Sequence, residues 1–374
     1  MRRYVPVLAL STILFLGACG GQVDAPVAGP PPAASTLPLL GAGPHVGLIY
    51  SAPAPAAQPT LDAAFNLAIN NGLRGYELSI PWSRLEQVAG VIDTAYLNNL
   101  LSNVSNAGLV PYLVIPTVDT NQLALPTDLV DPGDSTQLAP GLTFDDPAIV
   151  NRMHVLLDEV VPRLVAHGGV YLSVGNEVDV WLAANPAAEG HFANFMDDAR
   201  MHAQSIDTRL AVGATVTYGV IANDLTLLQL LQTASDNMAF TYYPLNPDFT
   251  VRNPNQVAGD LATMLAAVAP DPLLLQEVGY PSGYSIPTNG SSEELQRQFV
   301  QAIFSALVGQ PRIRFCSMLH LADWSSAELD TFQAYYGIND PLFREYLGSL
   351  GLREHATGNA KTAWTQFIQG LNSL

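Results

Sequence analysis

Lysine is nearly missing from this chain: of 15 basic residues set against 33 acidic ones, Lys361 is the only lysine. A net charge of −18 excludes the broad basic surface that binds nucleic acid or docks on anionic lipid. Cysteine is as scarce, with Cys19 and Cys316 alone. A disulfide framework is therefore excluded, and stability must come from a core. The seven histidines, His45, His154, His167, His191, His202, His320 and His355, show neither H-x-x-x-H nor H-E-x-x-H spacing. No metal site and no cofactor are expected. There is no repeat of solenoid length.

What is present suits one large globular domain. The 374 residues are 48% hydrophobic and 13% charged, and α/β barrels use such a length as a single unit. The N-terminus reads differently. Arg2 and Arg3 precede an apolar stretch from Val5 to Leu16, too short to span a bilayer and shaped like a signal peptide. It ends in Leu16-Gly17-Ala18-Cys19, which resembles the lipobox of bacterial lipoproteins. That resemblance implies cleavage before Cys19, a lipid on its sulfur, and an exported protein anchored to the cell envelope. The alternative is an ordinary secretory signal with an incidental cysteine. Residues 1–18 are thus expected as the signal, 19–43, rich in Pro, Ala and Gly, as a linker, and 44–374 as the folded domain.

From His45 onward, strand-like and helix-like segments alternate. The strand candidates are Val46–Tyr50, Gly75–Pro81, Val110–Pro116, Val170–Gly175, Leu210–Thr215, Met238–Tyr242, Pro272–Glu277 and Arg312–Leu319. All are short and apolar on both faces, as strands of a covered parallel sheet must be. Helical patterns lie between them: Leu61–Asn70, Thr94–Ala107, Pro147–Ala166, His191–Ile206, Asn255–Val268 and Glu293–Leu307. Ser291 and Glu294 are placed to form a capping box on the last of these. Eight strand-helix units predict a single (β/α)₈ TIM barrel, an α/β fold. A doubly wound open sheet is the rival, but no Gly-rich phosphate loop follows the first strand. Helix-to-strand turns are tight, while 117–145, 243–254, 278–290 and 320–340 are long. In a barrel the long loops mark the face that carries function.

Two glutamates end strand-like runs on that face. Glu177 closes Gly175-Asn176-Glu177 after the fourth candidate strand, and Glu277 closes the seventh within Gln276-Glu277-Val278-Gly279-Tyr280-Pro281. A pair of carboxylates at strand ends of one barrel is what retaining glycoside hydrolysis requires, one as acid/base and one as nucleophile.

The chain resembles the clan A glycoside hydrolases from about His45 to Trp364. Val174 to Asp179 and Glu277 to Pro281 are similar to endo-β-1,4-galactanase and β-mannanase members. Leu78 to Glu86, followed by Gly90 and Asp93, is similar to β-glucosidase and β-galactosidase relatives. The resemblance implies Glu177 as acid/base and Glu277 as nucleophile, with Asn176 orienting the sugar 2-hydroxyl. It also implies a tyrosine at the end of strand six bonded to the nucleophile. Tyr242 and Tyr243 both fit; alternation sends only one inward, and Tyr242 is favoured. Trp324 is expected as a sugar-stacking platform. Trp82 and Trp181 are weaker candidates for flanking subsites, with core packing as the alternative, and His320 is a candidate for a sugar hydroxyl. One departure stands out. Relatives of the β-glucosidase type carry an arginine where this chain has Glu77; Arg84 or Arg74 could replace it, or the site could be rewired. The expected function is retaining hydrolysis of a β-linked carbohydrate by a monomer. The alternatives are a degenerate carbohydrate-binding lipoprotein and a transglycosidase that remodels envelope glycan.

Overall fold

The computed structural model describes residues 44–50, 56–283 and 290–374. The expected signal peptide, the linker and Cys19 lie outside the described residues. Eight parallel strands form the centre: β1 (His45–Leu48), β2 (Gly75–Ser79), β3 (Val110–Val114), β4 (Tyr171–Ser173), β5 (Ala211–Gly213 continued by Thr215–Thr217), β6 (Ala239–Tyr242), β7 (Leu273–Val278) and β8 (Ile313–Met318). Each lies within two residues of its expected position. The ring closes through β5. Its first half pairs with β4 and its second half with β6, and β8 pairs with β1. The open-sheet rival is thereby excluded.

Alternation sorts the side chains into two cores. Leu78, Ile80, Leu113, Ile115, Leu172, Phe240 and Leu275 point outward into the layer shared with the helices. Tyr112, Tyr171, Ala211, Ala239, Leu274 and Phe315 point inward and fill the end of the barrel where the strands begin. There the Tyr112 and Phe315 rings stack at 3.6 Å, almost parallel. Truncating Phe315 to alanine would cost about 3–5 kcal/mol. The barrel is thus plugged below and open above.

The six expected helices form with small shifts at their ends, for example Glu189–Ile206 and Glu293–Gly309. The expected capping box at Ser291 is corrected. Ser292 is the cap, accepting from the Leu295 amide at 3.2 Å, while the Ser291 hydroxyl donates to the Pro281 carbonyl. A capping box does form at Ser325 and Glu328, at the head of helix Ser326–Tyr336. The long loops carry structure of their own. Two small hairpins follow β3, and helices Ser326–Tyr336 and Pro341–Gly348 follow β8. Lys361 ties this upper face together. Its ammonium donates to Asp323 at 2.6 Å, to the Ser282 hydroxyl at 2.9 Å and to the Ser349 carbonyl at 3.4 Å. Among the described residues no helix is long and apolar enough to cross a membrane.

Candidate active site

Glu177 and Glu277 both lie at the upper mouth of the barrel, and both are fully buried. Glu177 follows β4 through a turn at Gly175, where a side chain would lie 2.4 Å from Val178. The turn leaves Glu177 in the left-handed region, at φ +48, a conformation that costs a non-glycine residue about 1–3 kcal/mol and clusters at functional sites. The neighbouring segment 118–120 holds it there. The Asn176 amide donates to the Val118 carbonyl at 2.8 Å, and the Thr120 amide to the Asn176 carbonyl at 2.9 Å. The Glu177 carboxylate accepts from the hydroxyls of Thr120, at 3.0 Å, and Thr241.

Glu277 is brought inward by an irregularity. Phe240 pairs with Leu275 but Thr241 pairs with Glu277, so one residue of β7 is extra. Both Gln276 and Glu277 consequently face the centre. Gln276 donates to the Asn176 side chain at 2.8 Å, joining the ends of β4 and β7. The Glu277 carboxylate accepts from the Tyr243 hydroxyl at 2.8 Å.

That bond corrects the preference for Tyr242. Along β6 the inward positions are Ala239, Thr241 and, just beyond, Tyr243. Tyr242 points outward, where its hydroxyl donates to Asp260 on helix Val257–Ala267 at 2.8 Å. Tyr243 packs against Gly279, where a Cβ would lie 2.6 Å from its ring.

Other expected residues divide. Asn176 is buried between partners, its amide nitrogen 3.3 Å from Asp119 and its oxygen on Gln276. Trp324 is at the mouth, in one apolar cluster with Tyr243, Ile49 and Leu319, and stacks on His320 with centroids 4.2 Å apart. Among the described residues, neither ring nitrogen of His320, nor Nε1 of Trp324, has a hydrogen-bond partner. Burial, and then the Lys361 charge, hold His320 well below its ordinary value, so it is neutral. Trp82 is not at the site. It is buried in the outer core with its indole N–H on Glu86 at 2.6 Å. Trp181 lies in the same layer, donating to the Thr136 carbonyl. Arg84 is also elsewhere, paired with Asp93 and lying over the Tyr96 ring. Arg74 donates to carbonyls at 69 and 73, before β2 begins. Neither arginine takes the place left by Glu77.

Some residues of the site were not expected. Thr241 has the parity of Tyr243, so an anchored alternation pattern could have found it. Asp119 and Tyr336 come from long loops with no such signal. Asp119 accepts from Tyr335 at 2.9 Å, and Asn121 donates to the Tyr336 carbonyl at 3.1 Å. These bonds close one side of the mouth by joining the loop after β3 to the helix after β8. Burial, and then the charges of Asp119, Glu177 and Glu277, hold the Tyr336 phenol well above its ordinary range. Asp119 is pushed up to about 6 by burial. Burial, and then the charges of Glu77 and Glu177, push Glu277 well above the usual carboxylate range, while the Tyr243 bond opposes them. A cleft of about 180 Å³ opens beside Glu177, lined by Thr217, Thr241, Tyr243, Leu245 and Arg252.

The barrel is shared with solved structures. A GH5_18 variant from Bifidobacterium longum subsp. longum, in complex with Manb1-4GlcNAc, matches 88% of this chain and 78% of its own, with TM-score 0.64 and 16% identity. An exo-beta-1,4-mannosidase from Opitutaceae bacterium strain TAV5 matches 91% of this chain and 61% of its own, with TM-score 0.65 and 16% identity. A beta-glucuronidase from Bacteroides uniformis, covalently bound to cyclophellitol-6-carboxylate aziridine, matches 88% of this chain and only 35% of its own, with TM-score 0.57 and 14% identity. At these identities the likeness establishes the fold. No family model matches the chain, and no curated protein matches it in sequence.

Proposed function

We propose that the protein hydrolyses β-linked glycosides by double displacement, with Glu277 as nucleophile and Glu177 as acid/base. The observation that carries this reading is the pairing itself. Two buried glutamates end β4 and β7 at one mouth, and the Gln276–Asn176 hydrogen bond fixes one strand end against the other. In the first step a Glu277 oxygen attacks the anomeric carbon while the Glu177 carboxylic acid gives its proton to the departing oxygen. In the second, Glu177 takes a proton from water, which attacks the same carbon and releases Glu277. The Tyr243 hydroxyl holds one nucleophile oxygen, Oε2, in place. The small cleft beside Glu177, about 180 Å³ in volume, suits removal of terminal sugars. With mannose-related structures among its fold neighbours, β-1,4-mannosides are the first substrates to try.

The test is incubation of the purified protein with β-1,4-mannooligosaccharides, β-galactan, β-glucan and aryl β-glycosides, reading the first-formed anomer by NMR. Release of the β-anomer supports the reading; release of the α-anomer removes the double displacement. A second reading, carbohydrate binding without turnover, is favoured by one observation: among the described residues no lysine or arginine pairs with Glu277. Binding with no product from any of these substrates would select it. We further propose that the domain is exported as a monomer and tethered to the envelope through Cys19.

A further inference from the structure

Glu77 is a buried acid with no visible means of support. It is 2% exposed, and among the described residues neither carboxyl oxygen has a hydrogen-bond partner. An ionised carboxylate so placed would be prohibitively costly. Its parity explains where it points. In β2, Tyr76 and Leu78 pack outward, so Gly75, Glu77 and Ser79 face the barrel interior.

The strand register sets its height. Val278 pairs with Met318, Met318 with Leu48, and Gly47 with Gly75. Following these pairs from β7 to β2 crosses three strand boundaries. Strands of an eight-stranded barrel are tilted, and the level changes by about one residue per strand. Applied to these pairs, the tilt sets Glu77 within about one residue of the height of Glu277. Between the two acids the inward residues are Ser317 and Gly47, both small. The orphaned polar atoms on this arc form one set: both oxygens of Glu77, Oε1 of Glu277 and the Ser317 hydroxyl.

We propose that Glu77 is the neutral partner of Glu277: its carboxylic acid donates a hydrogen bond to Oε1 of Glu277, so the two groups hold one proton and one negative charge between them. This rests on the reading of Glu277 as nucleophile. The chemistry follows from the donor inventory. Ionised carboxylates only accept, so two facing ones cannot satisfy each other, whereas an acid and a carboxylate can. Like charges in one buried site cannot both persist. No arginine or lysine pairs with Glu77 among the described residues. The other titratable groups around it are Tyr112 and His45 below, bonded to each other at 3.0 Å, and Glu177, Tyr243, Tyr336 and Asp119 above. None is a cation that could replace the proton, because burial and Arg74 lower His45 below its ordinary value. After burial, Glu77 is the first charge that raises Glu277, which agrees with the placement that parity and register give. Glu77 is then a positioning residue. It fixes the nucleophile and keeps it singly charged.

Two measurements test this. Infrared spectroscopy at neutral pH should show, beside the band of Glu177, a protonated, buried carboxyl band that is kept in Glu177→Gln and disappears in Glu77→Gln. That readout needs no turnover, so it stands apart from the glycosidase reading. The second is the pH profile of kcat/KM on a dinitrophenyl β-glycoside, whose leaving group needs no proton from Glu177. Wild type should lose activity on the alkaline side as the shared proton leaves. Glu77→Gln, which still offers a neutral donor, should lack that limb. Glu77→Ala, which offers none, should fall about 100-fold below Glu77→Gln at the wild-type optimum. The proposal is overturned if the infrared band is missing in wild type or persists in Glu77→Gln, or if Glu77→Gln keeps the wild-type alkaline limb.

Discussion

The Thr120 hydroxyl donates to Oε2 of Glu177 at 3.0 Å, and both residues hold left-handed backbones, at φ +58 and +48. Two strained residues from different loops therefore lean on one another at the place assigned to proton transfer. Each conformation is maintained by the other's hydrogen bonds, and this is how a rigid site stores strain.

Thr120→Val removes the hydroxyl and keeps the shape. A hydrogen bond to a carboxylate contributes about 1.5–3 kcal/mol, so kcat/KM on unactivated glycosides should fall at least about tenfold. Dinitrophenyl glycosides should be hydrolysed nearly as before. An equal loss on both substrates would mean that Thr120 does not act through Glu177.

Glu277→Ala and Glu177→Ala should fail differently. Without Glu277 no glycosyl-enzyme forms, and turnover should vanish on every substrate. Added azide should then restore release of a glycosyl azide of inverted configuration. Without Glu177 the loss is about 10²–10⁴-fold on natural glycosides and small in the first step for dinitrophenyl ones, and azide should give the retained product. Chromatography and NMR of the azide adducts check both assignments.

How much of this was legible in the sequence depends on which physical rule applied. Eight strands were readable because each is a short apolar run bounded by turn residues, and the order of strands placed Glu177 and Glu277 on the fourth and seventh. Tyr243 was misjudged for Tyr242 because alternation gives relative parity but not which parity faces the barrel. Thr241, bonded to Glu177, was the missing anchor. The inward turn of both Gln276 and Glu277 depends on an irregular register between β6 and β7, and pairing partners cannot be read from one strand. Trp82 had the right residue type for a sugar platform, but its indole is committed to Glu86. Asp119, Thr120 and Tyr336 meet only because loops more than two hundred residues apart pack together.

Stability should depend on pH with an unusual sign. Glu77 and Glu277 are raised above the ordinary 4.5 by burial. The folded protein therefore holds protons that the unfolded chain has released, and stability is greatest below that ordinary value and falls as pH rises toward the folded ones. Glu77→Gln removes one such group. Urea unfolding should show little difference from wild type near pH 4 and a growing advantage for the variant toward pH 8, of up to about 1.4 kcal/mol per unit of pH. Asp119, Asp179 and Asp323 are also raised, to about 6, but they are common to both proteins and cancel. A variant less stable at every pH would contradict the sign.

Lys361 and Asp323 form a buried pair, with Lys361 lowered and Asp323 raised by burial. Lys361→Met strands the carboxylate and should cost about 3–5 kcal/mol, while Lys361→Met with Asp323→Leu should recover most of it. Urea denaturation of the two variants measures the difference.

Cys19→Ser should abolish lipid labelling and move the protein from the membrane to the soluble fraction while the barrel still folds. Unchanged fractionation would remove the anchor.

The same lysine has a practical consequence. Its ammonium is enclosed by Asp323, Ser282 and Ser349, and no second lysine exists. Amine-directed reagents thus find almost nothing on the outside of this domain. Succinimidyl dyes, lysine cross-linkers and reductive methylation should leave it nearly unmodified and fully folded. The first uptake of such a label during denaturation would report that the loops above the barrel have come apart.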